Sequence, residues 1–478
     1  MTRSLIRLAA VCALLLLALL ANLTFIQIYK ADEYRSASGN ARAILQEYSR
    51  DRGPILVGRK AVAESVETND ELKYLRTYSN GPLYASATGF YSLVYGATSI
   101  ERAENPVLAG TDDRLLFDRM QQLIAGRDPQ GGTVTLGLVA QAQQAAYEGL
   151  AGRTGAVAAI EPKSGKILAL AQSPSFDPNQ LSSHNSSEIQ KYYKRLTADP
   201  AEPLLNRPIA SSSPPGSTFK VVVAAAALES GEFTPQSVIP GPETYTLPGT
   251  STKVRNASRT ACSPTGKLTL TEALVVSCNT AFAWLANQLG DNALRKQSED
   301  FGFGTTFEVP MPAAAGRYPA DPDEAQTALT GIGQFDVRAT ALNMAQVVGA
   351  VAQGGSVMYP YLVTEIGRPD KTVLDRTQPQ TVGRAVSSQT ADQLTSMMVQ
   401  VVSRGTGSNG AIRGVPVAGK TGTAENGDGS PDTVWFTSFA PASTPEVAVA
   451  VVLERNGGSG NSQAAPIARA VMEAVLGR

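Results

Sequence analysis

From Leu8 to Ile28 the chain carries no charged residue, a stretch about as long as the ~20 residues that cross a bilayer as a helix. A lone apolar span has one solution in lipid, because only a helix satisfies every backbone polar group within a single segment. Arg3 and Arg7 precede it, and this positive flank places residues 1–7 in the cytoplasm and the remainder of the chain outside. Asn22, Thr24 and Gln27 make the outer end of the span less apolar. A cleaved signal peptide is the competing reading. Against it, no Ala-x-Ala site follows the leucine run, and the apolar stretch continues through Phe25-Ile26-Gln27-Ile28. A lipid anchor on Cys12 fits less well, since the hydrophobic run follows that cysteine. The expectation is an uncleaved, single-pass membrane anchor.

An extracytoplasmic body sets the cysteine chemistry. With Cys12 in the span, Cys262 and Cys278 remain, in an environment that permits a disulfide. Their bridge would close a loop of about 15 residues, worth ~3 kcal/mol if unstrained. Two small buried thiols are the alternative, and sequence alone leaves the two readings level. The chain is close to neutral, with 41 Lys and Arg against 42 Asp and Glu, and has no basic run interleaved with aromatics. No nucleic-acid partner is therefore expected. The single histidine, His184, lies within Ser182-Ser183-His184-Asn185-Ser186-Ser187 and reads as a solvated loop residue. One histidine argues against a Ser-His-Asp triad and a His-rich metal site. No Walker loop, Cys-x-x-Cys pair or zinc-binding His pair occurs, so neither a metal nor a cofactor is expected. A serine enzyme built from this chain needs a lysine as its base.

Such a pair is present in Ser213-Pro214-Pro215-Gly216-Ser217-Thr218-Phe219-Lys220. The prolines and glycine stop incoming regular structure, and the Val- and Ala-rich run Val221 to Leu228, closed by Glu229-Ser230-Gly231, reads as a buried helix with a glycine C-cap. Ser217 then falls on the first turn, with the Lys220 amine able to come within hydrogen-bond reach of its hydroxyl. Free N–H groups at a helix start favour an oxyanion, so the layout suits an acyl-transfer nucleophile. Ser-x-x-Lys alone is a weak pattern, and a serine there is more often a simple N-cap. It gains weight from Ser277-Cys278-Asn279 and Lys420-Thr421-Gly422-Thr423, which follow in order. This ordered trio is the association known for penicillin-binding proteins and serine β-lactamases. Ser-x-Asn also begins at Ser38, Ser183 and Ser459, and Lys163-Ser164-Gly165 mimics the third element, but only Ser277 lies between Ser217 and Lys420.

The body reads as an α+β domain. A helix from Val139 to Leu150 precedes a hairpin of Ala156-Ile160 and Ile167-Leu170. Val415-Ala418, Val434-Phe439 and Val447-Leu453 supply further strands and Ala464 to Leu476 a final helix, which together imply one antiparallel sheet. The section from Val221 to Arg404 is expected to be mostly helical. Gly405-Thr406-Gly407-Ser408-Asn409-Gly410 spells the dinucleotide-binding glycine pattern, but a helical stretch precedes it and a strand follows, so it reads as a flexible turn. Residues 31–130 are polar and turn-rich, with a helix expected from Ala41 to Tyr48 and a strand starting at Arg52-Gly53-Pro54-Ile55. The organisation is a cytoplasmic N-terminus (1–7), an anchor (8–28), a pedestal (31–130) and a catalytic body (131–478).

With these residues in view the chain resembles the class B penicillin-binding proteins, and most closely the penicillin-binding protein A group of actinobacteria. The resemblance includes Asn40-Ala41-Arg42, Arg52-Gly53-Pro54-Ile55, Pro174-Ser175-Phe176-Asp177-Pro178, the trio, Gly331-Ile332-Gly333-Gln334 and Trp435-Phe436. One departure is the acidic residue usual in that family shortly after Arg52-Gly53; Val57 stands near its place. The resemblance implies the penicillin-binding fold, a five-stranded antiparallel sheet flanked by helices plus a helical subdomain, behind a dimerisation-like pedestal. It implies a D,D-transpeptidase that cross-links peptidoglycan stem peptides and is acylated by β-lactam antibiotics, with no glycosyltransferase domain of its own. Ser217 would attack the carbonyl between the last two D-alanines, Lys220 would take its proton, and Ser277 would relay a proton to the leaving amine. Asn279 would bond Lys220 and the substrate backbone, Lys420 would supply positive charge, and Thr421, Gly422 and Thr423 would bind the terminal carboxylate. Backbone N–H groups of Ser217 and Thr423 would form the oxyanion hole. Such proteins resemble the partners of polytopic glycan polymerases of the shape, elongation, division and sporulation family. A β-lactamase or β-lactam sensor of the same fold, and a non-catalytic scaffold of the cell-wall machinery, are the alternatives.

Overall fold

The computed structural model describes residues 2–28, 30, 47–126 and 128–478. Asn40-Ala41-Arg42 and the expected helix from Ala41 lie outside the described residues, except that Glu47 and Tyr48 at the helix's end are helical. Thr2–Ile28 is one helix, long and apolar enough to cross a membrane.

At the centre of the body is a five-stranded sheet in the order Ala418–Ala424, Thr433–Ala440, Val447–Leu453, Gly155–Ile160, Ile167–Ser173. Every neighbouring pair is antiparallel. The strands read as near-continuous apolar runs because both faces are covered. Period-two alternation divides their side chains. Val157, Ala159, Val449 and Val451 pack with Ala142, Leu150, Ile467 and Val471 of the helices Ala140–Leu150 and Ala465–Val475. Ala156, Ala158, Ala448 and Ala450 face the opposite core, beneath the helices Lys220–Glu229 and Ala341–Ala352. Small residues on that face let the second helix approach so closely that a Cβ on Gly349 would lie 2.8 Å from Ile160 Cδ1. The helix Lys220–Glu229 is buried from Lys220 to Leu228, and its apolar character all round is that of a core helix.

The middle of the chain departs from the expected helical character. It holds the strand pairs Val238–Pro240 with Lys267–Thr269, Thr244–Thr246 with Lys253–Arg255, and Ser356–Met358 with Thr381–Arg384. Strands this short contain too few residues for alternation to show in the sequence.

The second sheet has six strands in the order Val373–Arg376, Val363–Gly367, Thr133–Leu136, Ile55–Val57, Lys60–Glu67, Tyr74–Tyr78. Its two outermost strands on one side thus come from far downstream in the chain. Beneath the sheet Arg52 and Arg76 converge on Glu101, at 2.7 and 2.6 Å, all three almost wholly buried. Tyr78 Oη donates to the same carboxylate at 3.1 Å, and Arg52 lies 4.2 Å over the Tyr91 ring. The carboxylate that holds Arg52 is therefore contributed by the helix Ser99–Ala103, while Val57 is a buried strand residue.

His184 is not the solvated loop residue expected. Its Nδ1 lies 2.5 Å from Asp70 Oδ2 and its Nε2 3.1 Å from the Tyr74 carbonyl, so it fastens the body to the pedestal's edge hairpin. Local polarity could not reveal partners over a hundred residues away.

Candidate active site

Ser217 lies on a 3-10 turn, Gly216–Phe219, that runs directly into the buried helix Lys220–Glu229. The turn is held against the edge strand Ala418–Ala424. Trp435 Nε1 donates to the Pro214 carbonyl at 2.9 Å, and Thr218 Oγ1 closes onto the Pro215 carbonyl at 2.7 Å. Gly216 adopts φ +52° and donates its N–H to the Gly333 carbonyl at 3.1 Å. Both glycines are required. A Cβ on Gly216 would meet the Thr423 carbonyl oxygen at 2.4 Å, and one on Gly333 the Gly216 carbonyl oxygen at 2.0 Å. The Gly331-Ile332-Gly333-Gln334 motif is thereby explained as a backbone clamp on the serine turn.

Lys220 and Lys420 are both fully buried and meet at Ser277. Lys220 Nζ donates to the Ser277 carbonyl at 2.8 Å and to Asn279 Oδ1 at 2.7 Å, and it lies 3.3 Å from Ser277 Oγ. Lys420 Nζ donates to Ser277 Oγ at 2.8 Å and to the Thr421 carbonyl at 2.9 Å. The amine expected beside Ser217 is thus held by the second motif, and the half-buried Ser217 hydroxyl makes no hydrogen bond among the described residues. Burial, followed by the nearby Lys420 charge, drives the Lys220 pKa well down. Burial alone brings Lys420 to about 7. Both shifts favour the neutral amine, and Lys220 is the one pressed by its neighbour's charge as well as by burial.

Ser277 has φ +58°, a left-handed conformation that costs a non-glycine residue about 1–3 kcal/mol. It forms the sharp corner between the helices Leu270–Val275 and Asn279–Leu289, so its carbonyl and hydroxyl face the same lysine. The neighbouring Cys278 is bonded to Cys262, across a separation of 16 residues. Cys278 also sends its N–H to the Ala273 carbonyl at 2.9 Å, and Asn279 Nδ2 donates to the Arg255 carbonyl at 3.0 Å. These ties fix the corner from three directions.

Thr421 is almost buried, and its hydroxyl is bonded to Thr406 Oγ1 at 3.0 Å, whereas Thr423 is exposed. Thr406 escaped the sequence reading because it lies in the glycine run Gly405 to Gly410, taken as a flexible turn. That run is packed. Thr406 N–H donates to the Val275 carbonyl at 3.2 Å, Gly407 N–H to the Val401 carbonyl at 2.9 Å, and a Cβ on Gly410 would meet Phe436 Cζ at 2.5 Å. No local signal marks the threonine; its role depends on a contact 15 residues along the chain.

Comparison with known proteins agrees in both halves of the chain. The family model for the penicillin binding protein transpeptidase domain matches residues 155–473, and that for the penicillin binding protein A dimerisation domain matches residues 52–134. The peptidoglycan D,D-transpeptidase PbpA of Mycobacterium tuberculosis H37Rv is 42% identical over 489 residues, covering 100% of this chain and 99% of the relative. The protein of the same name from Mycolicibacterium smegmatis is 41% identical with the same coverage. The structure of penicillin-binding protein A from M. tuberculosis as its imipenem acyl-enzyme complex superposes with a TM-score of 0.87 at 42% identity, covering 90% of this chain and 100% of that one.

Proposed function

Because the chain belongs to the class B penicillin-binding proteins of the PbpA group, we propose that the three motifs around Ser277 divide one acyl transfer among them. The chain is a peptidoglycan D,D-transpeptidase that works through a serine acyl-enzyme and is acylated by β-lactams. The convergence of Lys220 and Lys420 on Ser277 is the observation that carries the division of roles.

Neutral Lys220 has two N–H bonds, which match the Ser277 carbonyl and Asn279 Oδ1, and one lone pair left for a proton. It takes the proton from Ser217 Oγ as that oxygen attacks the carbonyl between two D-alanines. The resulting oxyanion is met by the backbone N–H groups of Ser217 and Thr423. Ser277, bonded by Lys420 at 2.8 Å and 3.3 Å from Lys220, gives its proton to the departing D-alanine nitrogen and is reprotonated by Lys220. The amine of a neighbouring stem then attacks the acyl-enzyme, and the proton it loses returns by the same groups to Ser217 Oγ as that oxygen leaves. Lys420 keeps positive field at this hydroxyl. Thr423 and Thr421, the latter braced by Thr406, receive the terminal carboxylate, and Gly422 leaves room against Pro215. The Cys262–Cys278 bridge holds the Ser277 corner in register.

The N-terminal apolar helix is the mark of a single-pass anchor. Arg3 and Arg7 support a cytoplasmic N-terminus with pedestal and body outside. A polytopic glycan polymerase of the shape, elongation, division and sporulation family is the membrane partner of this reading. Small residues in the span, Ala9, Ala13, Ala18 and Ala21 among them, support close helix packing there.

The decisive assay supplies full-length protein with glycan strands carrying pentapeptide stems. Cross-linked dimers with one D-alanine released per link are expected. Release of D-alanine without cross-links would mean a carboxypeptidase, and a penicillin adduct that turns over rapidly would mean a hydrolase. Gly333→Ala is expected to push Gly216 and the serine turn outward by the order of an ångström, slowing penicillin acylation by about 10²-fold. Wild-type rates for this variant, followed by intact mass, would remove the clamp from the account.

A further inference from the structure

The helix Leu116–Ile124 is amphipathic in the reverse sense to a core helix. None of its residues is buried, and Leu116, Phe117, Met120, Leu123 and Ile124 share one face with 47, 70, 51, 59 and 85% of their surface exposed. The polar side is the one fastened inward. Asp118 pairs with Arg368 at 3.3 Å, Arg119 donates to the Gly110 carbonyl at 3.3 Å, and Gln122 Oε1 accepts from the Gln130 N–H at 2.9 Å. Water does not favour this arrangement, because a row of large apolar side chains faces solvent while the groups water would hydrate are tied down.

The fastening also says where the helix stands. Gln130, bonded to Gln122, donates through Nε2 to Asp51 Oδ2 at 2.9 Å, and Gly131 N–H donates to the Asp51 carbonyl at 2.9 Å. Arg50 donates to the Ala109 carbonyl, next to the Gly110 carbonyl that holds Arg119. Residues 50 and 51 are where the chain enters the pedestal from the span. Between Ile28 and Glu47 lie residues 29–46, which reach at most about 60 Å even when fully extended. The outward apolar face therefore stands beside the point where the chain from the span enters the pedestal, and that short tether keeps it at high effective concentration with respect to lipid.

We propose that the Leu116–Ile124 face lies on the lipid surface as a second membrane contact, seating the pedestal on the bilayer beside its own anchor. This rests on the reading of Leu8–Ile28 as a membrane span. With only Asp118 and Arg119 charged in the helix, and both tied inward, the contact is apolar and needs no anionic lipid. The span and the helix together fix orientation as neither does alone.

The test uses the full chain with Cys12→Ala and Leu123→Cys, the new thiol carrying an environment-sensitive fluorophore, in phosphatidylcholine vesicles. The same label at Gln144, exposed on the body helix Ala140–Leu150, is the control. The Leu123 label is expected to be quenched at least twofold more than the Gln144 label by doxyl-lipid and to be shielded from aqueous iodide. Equal iodide quenching at both positions overturns the proposal. So does shielding of the Leu123 label from both quenchers together with disulfide cross-linking between chains of the unlabelled Leu123→Cys protein, which would make the face a contact between copies. A chain that does not float with the vesicles sinks the anchor reading first, and this proposal with it. Retained penicillin acylation shows that each labelled chain is folded.

Discussion

Lys220→Arg is expected to slow acylation by penicillin by roughly 10²–10⁴-fold, the usual contribution of a positioned general base. Arginine keeps the positive charge and much of the length but does not lose its proton at any accessible pH, so it cannot accept one from Ser217. Lys220→Ala should be similarly slow, and Ser217→Ala, which removes the proposed nucleophile, should show no adduct and set the floor. Intact-mass time courses at several pH values give the second half of the test. Burial, and then the Lys420 charge, pull the Lys220 pKa well below the ordinary lysine value. The wild-type rate should therefore rise with pH as Lys220 loses its proton, and fall again as Lys420, brought to about 7 by burial, loses the charge it holds at Ser277. A Lys220→Arg variant acylating within a few-fold of wild type would transfer the base role to another group.

The second large effect lies in the pedestal. Glu101→Gln is expected to cost about 3–5 kcal/mol, because it leaves Arg52 and Arg76 buried without their shared anion. Desolvation raises the Glu101 pKa, but Arg76 and Arg52 together outweigh it and the net shift is downward. A carboxylate with a depressed folded pKa stabilises above its unfolded value near 4.5 and loses that contribution as pH falls through the folded value. Wild type should therefore lose stability on acidification below that range, and the Gln variant should lack this part of the pH dependence. Calorimetry of the full chain in detergent reads both. Identical melting curves for the two proteins at neutral pH would show that the cluster is not held by charge.

The three motifs were legible in the sequence because each is short and their order is restrictive; Lys220, Ser277, Asn279 and Lys420 meet at one corner of the body, and Ser217 stands on the turn that leads into Lys220. The central sheet was legible because its strands are buried on both faces and so read as apolar runs, Val447–Leu453 most clearly. What escaped notice depends on partners far along the chain. Glu101 as the counter-ion of Arg52, Thr406 beside Thr421, and the histidine that ties Asp70 to the body are ordinary residues in their local windows. The glycine run at Gly405 looked loose because glycine signals freedom and close packing alike, and only Phe436 lying against it decides between them.

The order of strands in the pedestal sheet also governs how the protein is made. Thr133–Leu136 pairs on one side with Ile55–Val57, available at once, and on the other with Val363–Gly367, synthesised about 230 residues later. At ~5–20 residues per second, roughly 10–50 s pass before that strand reaches the ribosome's exit. Throughout that interval the nascent pedestal carries an open ladder edge, able to pair with a neighbouring chain in the same state. Synthesis of this protein thus imposes a waiting period in which a holdase has a defined backbone edge to guard.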